Sequence, residues 1–236
     1  MKILSIANTS GGSGKSTTAL AIAVAAAEYG RNVLLIDFDE RANLTFQLAI
    51  ENPRFTMLEV ASGSATIELS VIRTSERIDF IASAPRITAL DSKQVDLIKF
   101  KEKLNKYDLV VIDTSSGLSQ RLLLAGQLSD AVLFVTTDSL NSIRGVVLAN
   151  DFFKDCLKFG ALPIMSANQN SVISALSNDF KVINPVIPTD QAILTAQIAN
   201  KSVLNFDKTA AASDAYREIT YFLLEELFGS KTDTAL

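Results

Sequence analysis

Histidine is absent from the 236 residues, and cysteine occurs once, at Cys156. Without histidine no Ser-His-Asp triad can form, and any general base must be a carboxylate. A single cysteine allows no intrachain disulfide, which fits a reducing compartment, and no CxxC motif or chain-internal metal cluster. Long apolar runs are also missing. The longest uninterrupted one, Ala19 to Ala27, is too short for a bilayer, which takes about 20 residues. Lys2 is followed by an apolar run and a glycine loop rather than a cleavage site, so no secretory signal is expected. Positive charge is not in excess either: 22 Lys and Arg face 26 Asp and Glu, for a net charge of −4. That argues against a broadly basic nucleic-acid binder. It leaves room for a local basic patch, because surface fields are set within a Debye length of ~10 Å.

Apolar residues are plentiful, at 48% of the chain. That is enough for one large core, and one α/β domain over residues 1–229 is expected, with 230–236 as a frayed tail. There is no internal repeat, low-complexity tract or linker. Strand-like and helix-like segments alternate, which signals a mostly parallel twisted sheet with helices on both faces. Strands are expected at 3–7, 32–36, 78–82, 108–112, 131–136, 162–167 and 182–187. Helices are expected at 18–28, near 57–61, over most of 87–106, from a Ser139 cap to about Phe159, at 190–200, and at 213–228 with Ser213 as N-cap.

The most informative stretch is Thr9-Ser10-Gly11-Gly12-Ser13-Gly14-Lys15-Ser16-Thr17, between the first apolar run and an alanine-rich segment. Strand, glycine loop and helix in that order are the context a phosphate-binding loop needs. Glycines let backbone N–H groups approach phosphate oxygens, and the new helix offers unpaired N–H groups at its positive end. Lys15 would reach the outer phosphates, and the Ser16 hydroxyl would ligate Mg²⁺. The pattern G-x-x-x-x-G-K-[ST] is met only from Gly14 onward, since Thr9 stands at its first position.

In an open parallel sheet, ligands bind beyond the carboxyl ends of the strands. Asp37, Asp39 and Asp113 fall there. Asp113 follows the apolar run Leu109 to Ile112, matches the Walker B pattern, and would hold a water on Mg²⁺. One strand-end Asp is as readily a turn or helix cap. Three beside a phosphate loop point to a metal–phosphate site.

These motifs carry a resemblance. A deviant loop written K-G-G-x-G-K-[ST] marks the ParA/MinD family of P-loop ATPases, and Gly11 to Ser16 matches it after the first letter. Leu35-Ile36-Asp37-Phe38-Asp39 resembles the family's D-x-D switch strand, with Glu40-Arg41 where Pro-Gln is usual. Val111-Ile112-Asp113-Thr114 resembles its Walker B strand, with Ser115-Ser116 where Pro-Pro is usual. Ile187-Pro188, Ala196-Gln197 and Tyr216-Arg217-Glu218 resemble its C-terminal pattern. The resemblance implies ATP and Mg²⁺ as ligands. Ser10 to Thr17 would form the nucleotide loop, Asp39 would activate the attacking water, and Asp37 would lie near Mg²⁺ with Ser16 and Asp113. Asn168, Pro188 and Asp190 would contact adenine.

The family's first loop letter is a lysine that pairs with the other subunit's phosphates, and here it is Ser10. In related GTPases a cation added in trans is worth ~10³–10⁵ in rate. Hydrolysis could then be very slow, the chain could be an inactive form, or another cation could substitute. Relatives that position carboxysomes resemble the last case, with a serine here and a lysine from the second half. Lys154 is the candidate by that resemblance, with Arg144 and Lys158 behind it.

The resemblance further implies an ATP-dependent homodimer, nonspecific DNA binding on the nucleoid in the cytoplasm, and cargo positioning with an adaptor of ParB or McdB type. Arg144, Lys154, Lys158, Lys181, Lys201, Lys208 and Arg217 could form the DNA surface. MinD-like membrane cycling is the alternative, but the polar side of the last helix is Glu218, Glu225 and Glu226, which anionic lipid would repel. A metabolic phosphotransferase would need an acceptor pocket, and no insert for one is visible. An electron carrier lacks its cysteines. A tyrosine autokinase lacks its cluster, with only Tyr216 and Tyr221 near the end. A module that holds ATP without hydrolysing it stays open because of Ser10.

Overall fold

The computed structural model describes residues 1–90, 93, 95–165, 175–176 and 178–229. Its centre is a seven-stranded sheet: β1 Lys2–Ala7, β2 Val33–Asp37, β3 Val71–Arg73, β4 Asp79–Ile81, β5 Leu109–Asp113, β6 Ala131–Thr136 and β7 Leu157–Pro163. The order across the sheet is β3-β4-β2-β5-β1-β6-β7. All pairs are parallel except the edge pair β3–β4.

Strand residues point alternately to the two faces, so a sheet covered on both sides needs apolar residues at nearly every position. In β2, Val33 and Leu35 join one apolar layer, and Leu34 and Ile36 join the other. In β5, Leu109 and Val111 face the first layer, and Val110 and Ile112 the second.

The first layer holds α1 (Lys15–Glu28), α8 (Gln191–Ile198), α9 (Val203–Phe206) and α10 (Ala211–Phe228); the short α2 (Asn43–Gln47) contributes Leu44. Residues Ala19 to Ala26 of α1 are all buried. The second layer holds α3 (Met57–Ala61), α4 (Ile67–Ser70), a 3₁₀ turn at Pro85–Ala89, α5 (Leu97–Glu102), α6 (Gln120–Leu128) and α7 (Leu140–Asn150). The α/β fold matches the expected class.

The elements depart from expectation in several places. The helix capped by Ser139 ends at Asn150, and β7 runs over Leu157–Pro163, earlier than the strand expected at 162–167. Between them Phe153 is buried edge-on to Phe134, and the Cys156 thiol donates to the Gly126 and Ser129 carbonyls, each at 3.3 Å. Those contacts pull the chain out of the helix. Among the described residues, 182–187 make two isolated bridges, Ala161 with Val182 and Ile164 with Ile187, and Pro185 has no N–H for a ladder. The described residues of 87–106 form separate short helical pieces, such as 97–102, rather than one helix. The N-cap of α10 is Ala210, and Ser213 is buried with its hydroxyl donating to the Asp207 carbonyl at 2.7 Å. The 230–236 tail lies outside the described residues.

The last helix docks on the core as expected. Tyr216, Ile219, Leu223 and Leu227 are buried, the Tyr216 hydroxyl meets Thr18 at 3.1 Å, and Arg217 pairs with Glu28 at 2.8 Å. No helix among the described residues is long and apolar enough to cross a membrane.

Candidate nucleotide site

Sheet register brings the chemistry together. Ile6 of β1 lies across from Asp113 of β5, and Asp113 lies across from Asp37 of β2. The chain therefore leaves β1 toward the glycine loop directly beside two carboxylates. Gly14 takes a left-handed conformation, φ 80°, that a residue with a Cβ rarely adopts, and α1 starts at the next residue.

The loop is clamped from three sides. Asn8 donates to the Val135 and Ser142 carbonyls at 2.6 and 2.9 Å and accepts from the Ser10 N–H at 2.7 Å. Thr9 donates to the Gly145 carbonyl through its N–H and its hydroxyl, at 3.3 and 3.2 Å. The Gly117 N–H donates to the Thr9 carbonyl at 2.8 Å. Gly145 permits this approach, since a Cβ there would lie 2.0 Å from Asn8 Oδ1 and 2.9 Å from the Ser10 nitrogen. Gly145→Ala is expected to displace the loop and cut nucleotide affinity by roughly 10–100-fold, within the range for a misplaced site. A fluorescent-nucleotide titration checks this.

Lys15 is almost fully buried. Its ammonium donates to the Ser10 carbonyl at 2.9 Å, to Ser116 Oγ at 3.1 Å and, at the limit, to Ser13 Oγ at 3.5 Å. Burial pushes its pKa below the usual lysine value, while the Asp113 and Asp39 carboxylates oppose the shift. Its hydrogen-bond partners among the described residues are neutral, and the Asp113 and Asp39 carboxylates act on it from beyond ion-pair distance.

Asp113 is buried, and neither of its oxygens makes a well-formed hydrogen bond, although the Ser16 side chain lies close enough to favour its charge. Burial and the neighbouring Asp37 charge raise its pKa well above the ordinary carboxylate value. Asp37 is better served. Its Oδ1 accepts from the Asp39 N–H at 2.9 Å, and its Oδ2 from the Thr45 N–H at 3.0 Å and hydroxyl at 2.8 Å. Burial nevertheless pushes it up to about 6. Asp39 is buried at the start of the next turn, accepts from the Arg41 N–H at 3.0 Å, and is also raised by burial.

A cavity of about 730 Å³ is lined by Gly12 to Thr17, Asp39, Arg41 and Ser116 together with the apolar Ile164, Ile187, Leu194 and Ile198. The lining combines polar and cationic groups with apolar surface, which suits a phosphate tail with a flat base. Carboxylate oxygens without a well-formed hydrogen bond, close to Ser16, suit a hydrated divalent cation. Among the described residues no cluster of three or more acidic or cysteine side chains could hold a metal alone. Mg²⁺ commonly takes one or two protein groups, substrate phosphates and waters, so Ser16 and Asp113 fit it.

A family model described as an AAA domain, AAA_31, matches residues 1–158. The chain belongs to the ParA/MinD family of P-loop ATPases. The family's chromosome partitioning protein ParA of Caulobacter vibrioides is 26% identical over 246 residues, covering 93% of this chain and 92% of that protein. The septum site-determining protein MinD of Pyrococcus horikoshii, solved with Mg-ADP, superposes with a TM-score of 0.82 at 21% identity, over 98% of this chain and 99% of that one. McdA of Cyanothece superposes with a TM-score of 0.81 at 20% identity, over 95% and 99%.

Ser10 to Thr17, Asp37, Asp39 and Asp113 converge at one end of the sheet, and Asp190 joins them. Asp190 also caps α8, accepting from the Ala192 N–H at 2.9 Å and the Ala212 N–H at 3.2 Å. Pro188 falls between Ile187 and Thr189, which both line the cavity. Asn168 lies outside the described residues. Lys154 does not join the cluster. It is exposed in the turn after α7, three residues before β7, at the end of the sheet where Leu157 donates to the Asp130 carbonyl at 3.0 Å. Lys158 sits at that same remote end. A parallel β6–α7–β7 crossover must return the chain there, so a lysine past the helix points away from its own loop.

Sequence reasoning missed Asn8, Thr45, Ser116 and Gln197, whose Nε2 donates to Thr17 Oγ1 at 2.8 Å. For Asn8 a signal existed, a polar residue at the carboxyl end of an apolar strand. Thr45 and Gln197 act through tertiary contacts that no local pattern encodes.

Proposed function

We propose that this chain binds Mg²⁺–ATP, hydrolyses it slowly, dimerises in the ATP state, binds DNA without sequence preference in that state, and positions cargo with an adaptor protein of ParB or McdB type. The observation that carries the reading is the buried Asp113, without a well-formed hydrogen bond, close to Ser16 and to the buried Lys15 of the glycine loop.

Lys15 would exchange its Ser10 and Ser116 contacts for the outer phosphate oxygens, gaining an ion-pair partner. Loop N–H groups and the start of α1 would hold the β-phosphate. Ser16, the phosphates and waters held by Asp113 would seat Mg²⁺, which supplies charge neutralisation between the outer phosphates. Asp37, fixed by Thr45, would lie behind that seat. Asp39 would accept a hydrogen bond from the attacking water and orient it. The water oxygen bonds to the γ-phosphorus, the bond to the β–γ bridging oxygen breaks, and ADP and phosphate result. Pro188 and Asp190, with Asn168, would flank the base.

Ser10 carries no charge, which supports slow turnover and also favours a second reading, an ATP-gated binder with little hydrolysis. Single-turnover hydrolysis separates the two.

For DNA, Arg144, Lys154, Lys158, Lys181, Lys201 and Lys208 are exposed, whereas Arg217 is engaged by Glu28. Lys201 and Lys208 share a second cleft with Arg31, Arg73 and Arg77. The docked α10, with Glu218 and Glu226 exposed, weighs against membrane cycling, and we infer a nucleoid-associated cytoplasmic protein. Light scattering and DNA retention test this. Dimer and DNA binding are expected only with ATP, with affinity falling on the order of one log unit per log salt for each phosphate neutralised. DNA retention indifferent to nucleotide and salt would contradict the reading.

A further inference from the structure

We propose that Arg41 supplies from within the same chain the positive charge that Ser10 does not, by pairing with the terminal phosphate of the bound nucleoside triphosphate. The assignment rests on the ATP-site reading above and names a residue for the triphosphate end of that site.

Arg41 follows Asp39 and Glu40 in the turn after β2. The turn is fixed at three points. The Arg41 N–H donates to Asp39 Oδ1 at 3.0 Å, the Ala42 N–H donates to the Asp39 carbonyl at 3.0 Å, and Ala42 holds a left-handed φ of 51° before α2 starts. The side chain then reaches over the glycine loop. Its Nη1 lies 3.4 Å from where a Cβ on Gly11 would stand, one residue from Ser10. Arg41 lines the same cavity as Gly12, Ser13, Lys15 and Asp39.

The nearest candidate to neutralise it is removed. Glu40 turns the other way and pairs with Arg121 of α6 at 2.7 Å. Among the described residues no carboxylate lies within ion-pair distance of the Arg41 guanidinium. The cavity wall thus presents two cations, Lys15 and Arg41, neither held in an ion pair among the described residues, with the Asp39 carboxylate on the same wall. Two like charges held together on one wall favour a ligand with several negative charges. The planar guanidinium also matches two phosphate oxygens at once, which an ammonium does not.

The other cations fit less well. Lys154 and Lys158 are at the far end of the sheet. Arg144 is exposed on α7 and does not line the cavity.

The test uses the full chain with Mg²⁺ and two probes, ADP and a non-hydrolysable ATP analogue, titrated against a fluorescent nucleotide. The chain is kept dilute so that each site is read in a single protomer. Arg41→Gln is expected to lose roughly tenfold or more of the preference for triphosphate over diphosphate, the effect of a lost charge-assisted pair, while keeping its ADP affinity. Arg41→Lys is expected to recover part of that preference. Retained ADP affinity also reports that the exposed substitution leaves the fold intact. An unchanged preference in Arg41→Gln, or a preference lost in Arg144→Gln instead, would overturn the assignment. A wild-type chain that takes up neither probe would overturn the ATP-site reading itself, and the assignment with it.

Discussion

Lys15→Ala is expected to abolish useful ATP turnover, with the rate down ~10²–10³-fold or more, as for loss of one preorganised donor to transition-state charge. The Lys15 ammonium reaches Ser10 and Ser116 from the start of α1, a position that Arg41, on the turn after β2, does not occupy. The fold should survive. The ammonium is buried, its pKa is lowered by that burial, and its contacts are a carbonyl and hydroxyls rather than a structural carboxylate. A buried charge held only by neutral groups costs stability, so its removal is expected to leave the melting temperature of the nucleotide-free protein unchanged or higher. Comparing turnover with thermal melting of the same preparation checks both halves. A collapsed melting temperature would show that the lysine holds the fold rather than the phosphate.

Asp113→Asn is expected to move activity and stability in opposite directions. Loss of the carboxylate that orients waters on Mg²⁺ should lower turnover by about 10–100-fold. The nucleotide-free protein should become more stable at pH 7.5, since both Asp113 oxygens are buried without a well-formed hydrogen bond and Asp37 lies beside them.

The sign follows from proton counting. An acid whose folded pKa is raised binds more protons folded than unfolded between its two pKa values, so stability falls as pH rises through that window. For Asp37 the window runs from the ordinary 3.8 to about 6, worth on the order of 3 kcal/mol; Asp113 extends it upward. Wild-type stability without nucleotide should therefore decline from about pH 4 through pH 6 and beyond. In Asp113→Asn the decline should be shallower, and the two proteins should converge at low pH, where the carboxylate is protonated in both states. Denaturant melts across that range read the slopes. A steeper decline in the variant would contradict the account.

Much of this site was legible before any coordinates. Asp37 and Asp113 stand out because each ends a run of apolar residues, and a parallel sheet puts all such ends on one side. Gly14-Lys15-Ser16 stands out because a strand, a turn and a helix agree around it. What was not legible depends on where chains turn. Apolar spacing carries on from α7 through Phe153 and Leu157, yet the helix stops at Asn150 because Phe153 packs on Phe134 and Cys156 bonds to α6. That turn sets Lys154 at the end of the sheet away from its own chain's loop. Arg41 was visible only as a departure from a motif, since its aim depends on the Ala42 conformation and on Glu40 being taken by Arg121. The β3 strand is three residues long and antiparallel, too short for any periodicity to register.

The central claim is that the glycine loop and the Asp113 carboxylate form one seat for magnesium and nucleotide together. Calorimetric titration of ATP into the wild-type chain, once with Mg²⁺ and once with a chelator, tests it most directly. Saturable uptake at one site per chain that depends on Mg²⁺ is the expected result. No uptake with Mg²⁺ present, or uptake the chelator leaves unchanged, would contradict it.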